Sequence, residues 1–362
     1  MSRPTLYLAI TNHGFGHAVR AASIAAEVQK LDPEILLILA TTAPRWLLES
    51  YIPGDFIYRP RAFDIGVVQP DSLTMDFDAT LEALGDIRDR AAQLVRGEAD
   101  FLKTNQVDLI LGDIPPLLPK IAKAAGVDCW MTSNFGWDFI YRAWGGEFIE
   151  QADWIAECFG QCDRLFRLPM HEEMSAFPNI EDVGLTGGTP KLPEAELCDR
   201  FDLRARKEKT ILLSFGGLGL ATIPYDNLKD FPDWNFITFD RHAPDLPNLR
   251  IVRDRTLRPV DFMPICGRVV SKPGYSTFAE AMRLDVPIVT LTREGFAEAP
   301  ILVEGIRDRS EHQIISPVEF FDEPWTFLND EPRAPRCPEP LDKRGSATIA
   351  AEVVRAIGRR SR

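Results

Sequence analysis

The feature that most constrains this chain is an alternation that occurs twice: short apolar runs of strand character are separated by segments of helical periodicity. In the first half the runs are LYLAI (6–10), ILLILA (35–40), FIYRP (56–60), DLILGD (108–113) and DCWMTS (128–133). Between them, residues 18–31, 44–50, 76–105 and 119–125 carry helix-like patterns. Apolar runs of this length, bounded by turn residues and spaced by helices, are the signature of βαβ units and a parallel sheet. The second half repeats it with TILLSFG (210–216), WNFITFD (234–240), LRIVRD (249–254), GRVVSKPG (267–274) and VPIVTLT (286–292). The expectation is an α/β protein with two Rossmann-like domains, at 1–185 and 195–340. They are joined by the Pro- and Gly-containing FPNIEDVGLTGGTPKLPE (177–194) and closed by a helix in 341–362 with Ser346 as a plausible cap.

With 362 residues there is enough chain for two cores. Lys and Arg number 41 against 54 Asp and Glu, and the resulting charge of −13 disfavours nucleic acid and anionic lipid as partners. The N-terminal apolar run is only about six residues, too short for a signal peptide core or a membrane span. A cytoplasmic protein without an integral membrane segment is expected. Peripheral membrane contact stays open, although no basic amphipathic helix argues for it. Six cysteines lie scattered without CxxC spacing and read as reduced thiols. Cys158 and Cys162 are four apart but lack further ligands nearby, so no metal site is expected.

In open α/β sheets ligands bind beyond the carboxyl ends of the strands. After the first run comes HGFGHAVR (13–20), in which Gly14 and Gly16 permit a sharp turn or close approach and His17 sits at a helix start near residue 18. A tight βα turn explains the same residues. GDIPP (112–116) and SNFGWDFIY (133–141) bring Asp113, Asn134 and Asp138 to the same edge, where a carboxylate can orient a histidine. Asp113 before Ile-Pro-Pro also reads as a turn or cap. In the second half FGGLG (215–219) contributes Gly216 and Gly217, and SKPGYSTFAEA (271–281) contributes Lys272, Gly274, Ser276 and Thr277 at the opening of a helix whose free amides suit a diphosphate. One turn on, Glu280 is placed to accept from ribose hydroxyls, or is an ordinary first-turn Glu. LTREGFAEAP (291–300) sets Arg293, Glu294 and Glu298 where sugar hydroxyls can be held, or forms a solvated loop.

Together with FRLP (166–169), these motifs resemble the glycosyltransferase-like N-terminal region of plant L-arabinokinase-type proteins, and more distantly MurG and the UDP-glycosyltransferases. The resemblance runs from about Leu6 to Arg307. It implies a GT-B fold, two Rossmann-like domains facing a central cleft, with the acceptor mainly in the first domain and a nucleotide-sugar donor, a UDP-sugar by preference, mainly in the second. His17 matches a candidate general base, assisted by Asp113. Gly14 and Gly16 match the first loop's glycines, Gly216 and Gly217 those that approach the donor phosphates, and Gly274, Ser276, Thr277 and Glu280 the phosphate and ribose helix. Glu298 falls near a sugar-contacting position but lacks the Gln or Asn common beside it. Asn134 and Asp138 stand on the acceptor side. The implied reaction is inverting and metal-independent, with no cofactor beyond the donor; Lys272 and helix amides stabilise the leaving diphosphate. A non-catalytic sugar-nucleotide sensor or scaffold and an epimerase are the alternatives, while the chain carries no sugar-kinase phosphate loop.

Overall fold

The computed structural model describes residues 3–70, 73–217, 219–220, 222–337 and 339–360. Thirteen strands form two sheets among them. The first holds β1 (Thr5–Ile10), β2 (Leu36–Ala40), β3 (Ile57–Arg59), β4 (Leu109–Asp113), β5 (Cys129–Ser133), β6 (Arg164–Arg167) and β7 (Ile180–Asp182), in the order β3-β2-β1-β4-β5-β6-β7. The second holds β8 (Thr210–Leu213), β9 (Asn235–Thr238), β10 (Leu249–Ile251), β11 (Arg268–Ser271), β12 (Ile288–Leu291) and β13 (His312–Ile315), in the order β10-β9-β8-β11-β12-β13. Every named strand pair is parallel. β1 and β8 are buried along their whole length, as expected of central strands covered by helices on both faces.

Each sheet reverses its strand order once, between β1 and β4 and between β8 and β11. Those reversals leave a crevice at the carboxyl ends, the default ligand site of such sheets. β6, β7 and β13 were not among the apolar runs. RLFR carries arginine at both ends around buried Leu165 and Phe166, IED is exposed at all three positions and HQII begins polar, so none of them forms a continuous apolar run. The charged stretch 76–105 is two helices, Phe77–Asp89 and Ala91–Thr104, meeting at Arg90.

The closing helix, Gly345–Arg360, crosses back to the first domain. Its Ile349, Ala350, Val353 and Ile357 share a core with Ala18, Ala22 and Ala25 of the helix Gly14–Leu31. The incoming chain pairs with the connection between the domains, Leu185 N donating to Asp342 O (2.7 Å) and Gly345 N to Leu185 O (3.0 Å). Residues following the strands at both switch points line one cleft.

Candidate active site between the domains

The facing switch points enclose a solvent-connected cleft of about 110 Å³. The first domain lines it with the 13–17 loop, Arg20, Gln69 and Phe135, the second with Ser214, Gly216, Gly217, the 272–277 segment, Arg293, Phe296 and Glu298. The walls touch. Ser276 Oγ donates to Gly16 O (2.7 Å), Trp144 Nε1 donates to Gly295 O (2.7 Å), and a Cβ on Gly217 would lie 2.3 Å from the Phe15 ring. Gly217 thus serves the approach of one domain to the other.

The helix after β1 begins at Gly14, four residues earlier than expected, with Gly14 at φ +57° where a side chain would be strained. His17 therefore stands inside the first turn, and Arg20, three residues on, shares its face. His17 Nδ1 lies 2.6 Å from Asp113 Oδ1 at the end of β4. An ionised carboxylate can only accept, so this short contact favours a proton on Nδ1 and leaves Nε2 as the basic nitrogen, against the longer 3.0 Å approach of the Arg20 Nη2 donor to the same Nδ1. Arg20, 2% exposed, bonds both Asp113 oxygens, one at 2.6 Å, and also donates to Ser133 Oγ (2.9 Å) and Asn134 Oδ1 (2.8 Å). Burial alone would raise the Asp113 pKa, but Arg20 and then His17 hold it below the usual carboxylate value. Burial lowers the His17 pKa, Asp113 opposes this, Arg20 reinforces it, and the net shift is downward. Near neutrality the site holds an ionised Asp113 and a neutral, oriented imidazole, the state a general base requires. Arg20 was missed as a site residue; its signal was the i, i+3 spacing from His17.

The imidazole packs against His13, Phe135 and Trp137 at ring-centroid distances of 5.8–6.1 Å. His13 accepts from Val67 N (3.2 Å) and stacks on Phe296 of the second domain (6.1 Å). Gln69, also missed, lines the cleft with a buried side-chain nitrogen that has no hydrogen-bond partner among the described residues. Across from His17, Lys272 and Arg293 supply positive charge. Burial, then Arg293, push the Lys272 pKa down to about 8. Gly274 caps the helix Tyr275–Arg283, so the first amides of that helix open beside Lys272, and Ser276 and Thr277 line the same wall. Gly216, at φ +76°, faces Lys272. Glu298 begins the helix Glu298–Arg309 and lines the cleft.

Three expected site residues are placed otherwise. Glu280 does not look into the cleft: it is 3% exposed and accepts from Gly188 N (2.8 Å) and the Tyr51 hydroxyl (3.2 Å), fastening the interdomain connection. Asn134 is spent on both sides, accepting from Arg20 and donating to Glu298 Oε1 (2.7 Å), so it bridges the domains instead of offering itself to an acceptor. Asp138 lies in the first turn of the helix Trp137–Trp144, outside the cleft lining. Burial pushes its pKa up to about 6, and its Oδ1 has no hydrogen-bond partner among the described residues. No cluster of three or more His, Cys, Asp or Glu side chains that could hold a metal occurs among the described residues, and no helix there is long and apolar enough to cross a membrane.

Solved structures of the same shape cover nearly the whole chain. The calicheamicin glycosyltransferase CalG4 aligns with a TM-score of 0.64 at 15% identity over 99% of both chains. The glycosyltransferase of kitacinnamycin gives 0.61 at 15% identity, over 98% of this chain and 99% of its own. Arabidopsis thaliana UGT89C1 complexed with UDP gives 0.57 at 16% identity, over 97% and 94%.

The chain has the GT-B fold.

In sequence it is 28% identical over 303 residues to the L-arabinokinase of Arabidopsis thaliana, across 81% of this chain. The match spans only 28% of that longer protein. No family model matches. Within the GT-B frame, the β8–β11 crevice belongs to the C-terminal domain and the His17–Asp113 pair to the N-terminal one.

Proposed function

We propose that the protein transfers a sugar from a nucleotide diphosphate sugar, a UDP-sugar by preference, to a hydroxyl acceptor. The observation that carries this reading is the pairing across one cleft of a neutral, carboxylate-oriented His17 with a cationic, amide-rich wall at Lys272 and Gly274–Thr277. Nε2 of His17 takes the acceptor's proton as its oxygen attacks the anomeric carbon. Attack comes from the face opposite the diphosphate, so the configuration inverts. Charge building on the leaving diphosphate meets Lys272, Arg293 and the helix amides, which are fixed in advance and therefore cost little reorganisation. This arrangement supplies the neutralising charge from side chains and backbone, in keeping with a metal-independent reaction. UDP is bound by the structural neighbour UGT89C1, which supports UDP-sugars as the first donors to try.

The Gln69 amide is the polar group an acceptor or sugar hydroxyl would meet near His13. The test is UDP release from a panel of UDP-sugars with hydroxylated acceptors, comparing wild type with His17→Ala. Sustained release that falls by at least about 100-fold in the variant, the usual scale of a general base, supports the reading. Full turnover by His17→Ala would remove His17 as base, and wild-type binding of UDP without release would favour a sensor.

A further inference from the structure

A chain of hydrogen bonds runs from the second domain to the base of the first. Glu298 Oε1 accepts from Asn134 Nδ2, Asn134 Oδ1 accepts from Arg20, Arg20 grips both oxygens of Asp113, and Asp113 takes the Nδ1 proton of His17. Every member is at least nine-tenths buried. Asn134 fits in one orientation only, because the reversed amide would set its oxygen against Glu298 and its nitrogen against Arg20. The Arg20 guanidinium also lies 5.5 Å from the ring centroid of Tyr275, a second-domain residue. Arg20 therefore meets the second domain in two ways, directly at the Tyr275 ring and indirectly through Glu298, which holds the Asn134 amide that Arg20 bonds within the first domain.

We propose that Arg20, Asn134 and Glu298 form a closure latch that positions the His17–Asp113 pair. Docking of the second domain pins the guanidinium, the guanidinium pins the carboxylate, and the carboxylate fixes the imidazole as its Nδ1–H tautomer. The charged and titratable groups around His17 are Asp113 from β4, Arg20 on its own helix, His13 from the loop before it and Glu298 from the second domain. Asp113 accepts from Nδ1 at 2.6 Å, while Arg20 Nη2, a donor only, lies 3.0 Å from the same nitrogen and favours the opposite tautomer, so tautomer choice depends on how the carboxylate and the guanidinium are held. With the domains apart, Arg20 keeps Asp113, Ser133 and Asn134 but loses the Tyr275 ring, and Asn134 loses the Glu298 that orients its amide, so the geometry around Nδ1 is less fixed and the imidazole can exchange tautomers. Closure over the donor thereby tightens the geometry of the base. The consequence for turnover rests on the transferase reading; the consequence for His17 does not.

The experiment uses the full chain with ¹⁵N-labelled imidazoles, His17 assigned by its loss in His17→Gln, and UDP as the probe. UDP is expected to drive wild-type His17 to a single Nδ1–H tautomer. In Asn134→Ala the tautomers stay mixed, UDP affinity stays within threefold, and kcat for UDP release from a nucleotide sugar drops at least tenfold at unchanged donor KM. Glu298→Ala cuts the latch from the other domain and gives the same tautomer mixture; UDP carries no sugar, so a sugar contact by Glu298 does not disturb that reading. The double variant is no worse than either single one, because both break one connection. A fixed tautomer in Asn134→Ala, or losses that multiply in the double variant, overturns the latch. If circular dichroism shows Asn134→Ala unfolded, Glu298→Ala decides. If wild type releases no UDP from any nucleotide sugar, the transferase reading fails while the tautomer readout still decides the latch.

Discussion

Replacing Asp138 with Asn is expected to stabilise the protein without slowing it. The Asp138 carboxyl is pushed from 3.8 up to about 6 by burial, against the partial relief of the Asp138 and Phe139 amides and Arg142. A shift of about 2 pKa units corresponds to about 3 kcal/mol spent on keeping the group ionised in the folded state at neutral pH. Residual solvent contact and the favourable first-turn position reduce what Asn recovers to about 1–2 kcal/mol. The sign is fixed by the direction of the shift. An acid with a raised folded-state pKa binds more protons folded than unfolded, so its contribution is fully favourable below 3.8 and is lost as pH rises towards about 6. Urea unfolding followed by tryptophan fluorescence, at half-unit steps from pH 4 to 8, should show the variant's advantage growing across that window and constant above it. UDP-release turnover should stay within about twofold, since Asp138 lies outside the cleft lining. A variant less stable than wild type at pH 7.5 would refute the desolvation argument, and a loss of turnover above tenfold would restore Asp138 to the acceptor side.

Because the His17 pKa is lowered, its base form persists below the ordinary histidine value of about 6.5, and kcat/KM should hold flat through pH 6.5 before falling. Arg20→Met removes a charge that lowers the His17 pKa, so the acid limb of a pH–rate profile should move upward. Lys272 loses its charge as pH passes about 8, so UDP affinity measured calorimetrically should weaken from pH 7 to 9 in wild type and change little in Lys272→Gln. Gly217→Val drives a side chain into the Phe15 ring and should cost about 1–3 kcal/mol, read as weaker UDP binding or a lower melting temperature. Glu280→Ala strands the Gly188 amide and Tyr51 hydroxyl and should destabilise by about 1–3 kcal/mol in thermal unfolding while UDP affinity survives; lost affinity in a folded variant would return Glu280 to the ribose.

Strand alternation made the two-sheet architecture legible because buried parallel strands leave continuous apolar runs such as LYLAI and TILLS. Strands with polar or exposed positions, β7 above all, leave no such trace. Placement at strand ends brought His17, Asp113, Lys272, Gly274 and Glu298 to the cleft, since strand topology decides where loops converge. Glu280 shows the limit of that reasoning. Its position on the Tyr275–Arg283 helix was legible, but the connection that folds back over it comes from Gly187 and Gly188, about ninety residues earlier. The i, i+3 spacing from His17 marked the face of Arg20 and strand-end placement marked Asn134, but their bonding partners lie 93 and 164 residues away, and spacing within one motif cannot reveal those.

The central claim, that a nucleoside diphosphate is held between the two switch points by the Lys272 wall, is tested most directly by calorimetric titration of UDP into wild type, Lys272→Gln and Glu280→Gln. Saturable binding in wild type, weakened at least about tenfold in Lys272→Gln and kept in Glu280→Gln, is the predicted result, since losing one charge-assisted contact to phosphate is worth about 1.5–3 kcal/mol. No binding of UDP by folded wild type, or binding indifferent to Lys272→Gln, would contradict the account.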